Sequence, residues 1–313
     1  MVHAGARPRD ELSAIVFRPP RATGVIIGGA FATWALVVAA IAFNVAQGAQ
    51  PEFKTFLAWV VAAAALLLAG LFATWAVNVA RLAYIVHPDT LEVRWGWRSI
   101  LVPIGSIQRL VPGRTLDPPE VSGLNWWGCH VGAADVKRVG YTLFYSTHAT
   151  PEELLYVVTD GEAYGLTVED QASFAEAIQA RAALAPVDDR GEQRSVGVGP
   201  ASLPLWQDRA ALWTLGAGAL LCALACGYVF TSYPGLPDVV ELSFPALGGI
   251  VRVGNREELL GIAYLAAAIY AGNVIAGTAL HAVERAAGLW LFASGALLQG
   301  VLLLAALIAI SRA

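Results

Sequence analysis

Five stretches of this chain are apolar at nearly every position, and between the second and third of them the pattern switches to one that alternates. The apolar runs cover residues 23–45, 56–79, 210–229, 259–280 and 287–310, and none contains Asp, Glu, Lys or Arg. Each reaches the roughly 20 residues that a helix needs to cross a hydrocarbon core, so the pattern predicts five membrane helices in a 2 + 3 arrangement. The first run is too long for the apolar core of a signal peptide and follows about 20 mixed residues, so it reads as an uncleaved helix. Between the two groups, "LEVRWGW" alternates: Leu91, Val93, Trp95 and Trp97 fall on one side, and Glu92, Arg94, Gly96 and Arg98 on the other. A period of two predicts a half-buried strand. By this alternation Trp95 and Trp97 share a core face, while Arg94 and Arg98 share a solvated one.

The same reading extends across residues 83–184. "AYIVHP" is a short strand, "SILVP" pairs back on "LEVRWGW" through a turn near Gly96–Arg98, and "YTLFYST", "LLYVVT" and "AYGLTV" are three more strands. Asp160–Gly161 closes a tight hairpin. In "VEDQASFAEAIQARAAL", Asp170 or Ser173 caps a helix whose Phe174, Ile178 and residues 181–184 form an apolar stripe. Hairpins closed by one amphipathic helix predict a small antiparallel barrel plugged at its end. Residues 185–208 lack periodicity and read as a linker.

Composition sharpens the class. The chain has 313 residues, of which 57% are hydrophobic and 14% charged, against about 25% charged in a soluble domain. A net charge of −4 excludes a strongly basic nucleic-acid binder. Arg outnumbers Lys and Ala is abundant, which fits a GC-rich bacterial source. Orientation follows the basic flanks. Arg7, Arg9, Arg18 and Arg21 precede the first helix, Arg81 follows the second, Arg209 precedes the third, and Arg285 lies between the last two. With the N-terminus inside, about sixteen of the twenty Lys and Arg are cytosolic. That places residues 1–22 and 83–184 in the cytosol, a loop at about 233–257 outside, and the C-terminus of the 209–313 segment outside.

The order of elements in residues 83–184 resembles the bacterial pleckstrin-homology (PH) domain. The residues that carry the resemblance are Val102, Pro103, Ile104 and Ile107 in "RSILVPIGSIQRL", and Asp170 and Phe174 at the start of the closing helix. The Gly-rich "GLNWWGCHVGAADVKRVGYTLFYST" is similar to an insertion found in such domains embedded between membrane helices. The resemblance implies an α+β membrane protein: five transmembrane helices with an inserted, cytosolic PH-like barrel in the bacterial inner membrane. The segment from Ser232 to Asn273 also resembles a bacterial membrane segment of unknown function, with Pro237, Gly248, Arg256 and Asn273 in its pattern and Ser243 near the place of its usual His.

Candidate chemistry is sparse. No Walker loop, His-Glu-x-x-His, Gly-x-Ser-x-Gly or dinucleotide fingerprint occurs. His87, His130, His148 and Cys129 show no spacing that predicts the three or four converging ligands of a zinc site. Cys222 and Cys226 read as small packing residues. Hence no catalytic, cofactor or metal residues are assigned, and the chain is expected to be non-enzymatic.

Four residues remain as candidates for contact with anionic lipid headgroups or a protein partner: Trp126, Trp127, Arg94 and Arg98. The adjacent tryptophans either enter the headgroup layer or fold over the open end of the barrel. The eukaryotic inositol-phosphate site is not inherited, because the first turn, "HPDT", has no Lys or Arg. Within the membrane Asn44, Asn78, Asn273 and Gln299 are the strongest polar groups; Asn44 and Asn78 lie near helix ends, and Asn273 is deeper and reads as a candidate intramembrane polar contact. Small residues every fourth position at Gly24–Gly28 and at Gly218, Cys222 and Cys226 predict close helix packing within or between chains, so a homo-oligomer is among the expected assemblies. The leading expectation is a scaffold or sensor whose PH-like domain meets the membrane surface or a membrane or cytosolic protein. The alternative is a component of a small-molecule or lipid transporter.

Overall fold

In the computed structural model, residues 13–183, 194–197, 203–241 and 253–312 are described. The elements run β1 (Ile15–Phe17), α1 (Ala22–Gly48), α2 (Phe53–Ala80), β2 (Ala83–Val86), β3 (Thr90–Trp95), β4 (Arg98–Pro103), β5 (Ile107–Pro112), β6 (Ser122–Trp126), β7 (Cys129–Val136), β8 (Gly140–Ser146), β9 (Leu154–Thr159) and β10 (Ala163–Thr167). They continue as α3 (Gln171–Ala182), β11 (Arg194–Gly197), α4 (Arg209–Ser232), β12 (Val239–Glu241), β13 (Val253–Asn255), α5 (Glu257–Val283) and α6 (Arg285–Ser311). Among the described residues, five helices are long and apolar enough to cross a membrane: α1, α2, α4, α5 and α6. These are the five predicted runs, each lengthened by a few residues at its ends. The chain divides into two compact units, residues 1–35 with 67–202, and residues 36–66 with 203–313.

In the first unit the strands form two sheets, and the expected closed barrel is absent. One sheet has the order β1-β2-β3-β4-β11 and the other β5-β9-β10-β8-β7-β6. The break lies between β4 and β5. Pro103 has no N–H to continue a ladder, and a single 3-10 turn at Ile104–Ser106 follows it, held by Ser106 Oγ donating to Pro103 O at 2.7 Å. Strand β5 then pairs with β9 instead of β4. The second sheet also contains a parallel pair, β8 with β10, with Leu166 opposite Tyr145.

The two sheets share one core. Tyr84, Val93 and Ile100 from the first sheet, Leu155, Val157, Tyr164 and Leu166 from the second, and Phe174 and Ile178 from α3 are all buried in it. Asp170 caps α3 by accepting from the Ser173 amide at 2.9 Å, as the sequence predicts. The Tyr84 hydroxyl bridges the sheets: it donates to Tyr145 O at 2.7 Å and accepts from Thr167 N at 3.2 Å. Two strands come from outside the predicted domain. Strand β1 joins β2, placing Phe17 edge-to-face on Phe174 at 5.0 Å. Strand β11, from the stretch that reads as a linker, joins β4.

In the second unit, α4, α5 and α6 pack through Cys226, Val229, Phe230, Ala263, Ala266 and Ala306. Gln299 is fully buried and donates to Ala266 O at 2.9 Å, tying α6 to α5. Asp208 caps α4 by accepting from Ala210 N, and it also accepts from Arg285 Nε at 2.6 Å and lies 3.1 Å from His281 Nε2. Arg285 and then His281 hold this carboxyl well below the usual carboxylate range. One carboxylate thus ties the ends of three helices together. Beyond α4, β12 and β13 pair as a small hairpin, and Arg256 lies over the Tyr233 ring at 5.2 Å. Arg7, Arg9, Ser243 and Gly248 fall outside the described residues.

Candidate functional site

The Gly-rich segment folds as a hairpin, and its tip carries the candidate tryptophans. Strand β6 pairs with β7 in a register that ends at Trp126 opposite Cys129, leaving Trp127 and Gly128 as the two-residue turn. Gly128 has φ +73°, a conformation that L side chains rarely adopt. A Cβ on Gly128 would also lie 2.8 Å from Gly24 Cα, and one on Gly24 would overlap the Gly128 carbonyl oxygen. The turn therefore rests backbone to backbone on the first helical turn of α1. The small residue at Gly24 serves this contact, while Gly28 faces Ala76 on α2.

The two tryptophans part company there. Trp126 packs among helix aromatics, with ring centroids 5.6 Å from Phe31, 6.5 Å from Phe72 and 5.4 Å from Trp75. Neither sequence-level alternative describes Trp126, which docks on the sides of α1 and α2. Trp127 is 68% exposed. Cys129 is buried beside Trp75 and Val79, and burial pushes its thiol up to about 12, so it stays protonated at neutral pH. The platform of Phe31, Phe72 and Trp75 was missing from the sequence reading. Its signal was the spacing of Phe72 and Trp75, three apart on one face of an otherwise Ala- and Leu-rich helix.

A cavity of about 800 Å³ lies beside the tip, lined among others by Thr23, Asn125, Trp127, His130, His148 and Pro151. His130 Nδ1 sits 2.6 Å from Asn125 Oδ1. Burial, and then the neighbouring His148, hold the His130 imidazole below its ordinary range. Among the described residues, no three His, Cys, Asp or Glu side chains converge as metal ligands.

Arg94 and Arg98 do not share a face. Strand β3 ends at Trp95, and Gly96–Trp97 form the turn, so Arg98 opens β4 opposite Trp95 while Arg94 lies opposite Ser99. Residues paired in an antiparallel ladder project to one side, which sets Arg98 on the side of Trp95 and Arg94 on the outer side. Trp97, expected in the core, is 45% exposed, and Arg81 lies over its ring at 5.2 Å. Gly96 is required where it stands: its φ is +59°, and a Cβ there would overlap the Asn78 side chain at the end of α2. Asn273, in the second unit, rests against α6, where a Cβ on Gly295 would lie 2.6 Å from its Nδ2.

No curated protein matches this chain, and no solved structure matches it. Residues 82–182, which contain β2 to β10 and α3, match the family model of the bacterial PH domain, carried in a chain with several long apolar helices consistent with a membrane protein.

Proposed function

We propose that this chain is a multi-pass protein of the bacterial inner membrane that acts as a non-enzymatic scaffold or sensor, with its PH-like domain meeting the cytosolic membrane surface. In this reading the N-terminus is cytosolic and the C-terminus extracytoplasmic. The observation that carries it is the parting of Trp126 and Trp127. Phe31 lies about 13 Å along α1 from its first residue, at 1.5 Å per residue. Helix α1, with 27 residues, is about 40 Å long and so exceeds a 30 Å hydrocarbon core by about 10 Å. The Trp126 ring reaches down to Phe31, but the turn itself rests on Gly24, about 3 Å along α1, so the tip lies at the headgroup level, and an exposed indole suits that layer, apolar in body and polar at its edge.

The polar groups of the second unit support packing over transport. Gln299 Nε2 donates to Ala266 O, leaving its buried Oε1 without a partner among the described residues, and Asn273 fits the space that Gly295 leaves.

The test is lipid contact at Trp127. The full chain and a Trp127→Phe variant are reconstituted in nanodiscs of phosphatidylcholine with and without brominated acyl chains. The difference fluorescence between the two proteins should be quenched by the brominated lipid. Quenching by aqueous acrylamide alone would overturn membrane contact and leave a protein partner as the occupant of the tip.

A further inference from the structure

A second concavity lies on the outer face of the first sheet, where that sheet meets the ends of the two helices flanking it in sequence. The registers Val16↔Ile85, Ala83↔Arg94 and Arg94↔Ser99 put these residues on one side, opposite the core face of Phe17, Tyr84, Val93 and Ile100. Bounded by this face is a cavity of about 600 Å³ whose lining includes Arg18, Arg21, Arg81, Arg94, Trp97 and Ser99. That volume falls within the range of small-molecule sites.

Its charge is one-sided. Among the described residues, no carboxylate lines the cavity, and Arg18, Arg21 and Arg81 form no ion pair. Each of three arginines is steered by a single contact. Arg21 Nη1 donates to Ala80 O, Arg81 lies over the Trp97 ring, and Arg94 Nε donates to Glu92 Oε1 at 3.0 Å. A guanidinium has five N–H donors, so these contacts leave most of them for a ligand. Four cations around one hollow repel each other, and only Arg94 has a carboxylate, which it shares with His87 and Ser99. Arginines at helix ends are ordinary membrane flanks, and that alone would explain Arg21 and Arg81. It explains Arg18 as well, but not Arg94, which stands on a strand and converges on the same space.

Guanidinium groups that converge in a hollow match the oxygens of a phosphate group. Arg21 directly precedes α1 and Arg81 directly follows α2, so the cavity opens where both helices leave their apolar stretch. We infer that it binds the phosphate group of an anionic phospholipid headgroup. The inference rests on the membrane-surface reading above and specifies its ligand.

The full chain in an uncharged detergent is titrated with phosphatidylglycerol and with phosphatidylcholine, and bound lipid is counted by native mass spectrometry. Wild type should retain phosphatidylglycerol in preference. Arg18→Gln combined with Arg94→Gln should weaken that retention at least about tenfold, since each removes a guanidinium that pairs with the phosphate oxygens in the cavity. Arg81→Gln alone should weaken it in the same direction, which guards against a folding defect from Arg94→Gln. Arg209→Gln, which removes an equal charge outside the cavity, should leave it unchanged.

Equal retention of the two lipids would overturn the proposal, as would an Arg209→Gln effect as large as that of Arg81→Gln. If inorganic phosphate raises the melting temperature saturably while phosphatidylglycerol is not preferred, the lipid is the wrong source and a soluble phosphate ester is the ligand. Trp127 quenching is measured on the same variants. Insertion without a lipid preference would sink only this site, and a lipid preference without insertion would sink only the reading of the hairpin tip.

Discussion

Glu92 shows how a charged residue is kept on a sheet without exposure. It is nearly buried, and burial alone would raise its pKa, but Ser99 Oγ at 2.7 Å, His87 Nε2 at 3.0 Å and Arg94 Nε at 3.0 Å outweigh that and hold the carboxyl below its ordinary value. A carboxyl whose pKa is lower folded than unfolded stabilises the fold above its unfolded pKa of about 4.3, and that contribution disappears as pH falls through the folded value. Melting curves of the full chain and of Glu92→Gln should therefore differ by a constant amount near neutral pH and converge as pH drops below about 4. A gap that persists unchanged into acid would show that the carboxylate charge contributes nothing there. At this scale the sequence was partly legible. Alternation assigned Val93 and Glu92 to the right faces, but it ran on through Gly96. What reverses the chain is a positive φ and the press of Asn78 from another element. The turn near Gly96–Arg98 is legible, but alternation carried through it puts Trp97 on the core face, whereas it is 45% exposed, and groups Arg98 with Arg94, whereas the register parts them.

Among the elements, the β6–β7 hairpin depends on helix α1, and the contact is made by two glycines. Gly128 needs its left-handed φ, and Gly24 leaves space for the turn's backbone. Gly128→Ala should lower the stability of the first unit by about 1–3 kcal/mol, from backbone strain and the approach to Gly24 together. It should also raise proteolysis within 122–136 while the circular dichroism of the membrane helices is unchanged. Unaltered proteolysis would show that the turn is not clamped. The long helices were legible because composition alone marks them, and α3 because Asp170 and its stripe are local signals. Strands β1 and β11 were not: β1 is three residues in a basic flank, and β11, "RSVG", has a single apolar residue to mark it. The parallel pairing of β8 with β10 was also hidden: partner choice across 20 residues is decided by packing in the shared core, and the hairpin closed by Asp160–Gly161 specifies only β9 with β10.

For the whole chain, the question is which side of the membrane each segment occupies. Five crossings, one for each long apolar helix, would put the two ends of the chain on opposite sides and the two short connections with few basic residues, after α1 and around 233–257, on one side together. The basic flanks oppose them: Arg18, Arg21 and Arg81 stand at the start of α1 and the end of α2, and Arg209 and Arg285 at the starts of α4 and α6. Because the Lys/Arg bias of short flanks sets orientation, these five arginines should be cytosolic, and the PH-like domain with them. Cysteine labelling can decide this with little background, since Cys129, Cys222 and Cys226 are all buried. In intact spheroplasts a membrane-impermeant maleimide should label Lys54→Cys, the second residue of α2, and should reach Lys137→Cys, which directly follows β7 and replaces a side chain that is 87% exposed, only after lysis. The reverse labelling would put the domain outside. The arginine cavity would then face the wrong leaflet for the anionic surface it is argued to meet, so the orientation result bears on the ligand as well as on the topology.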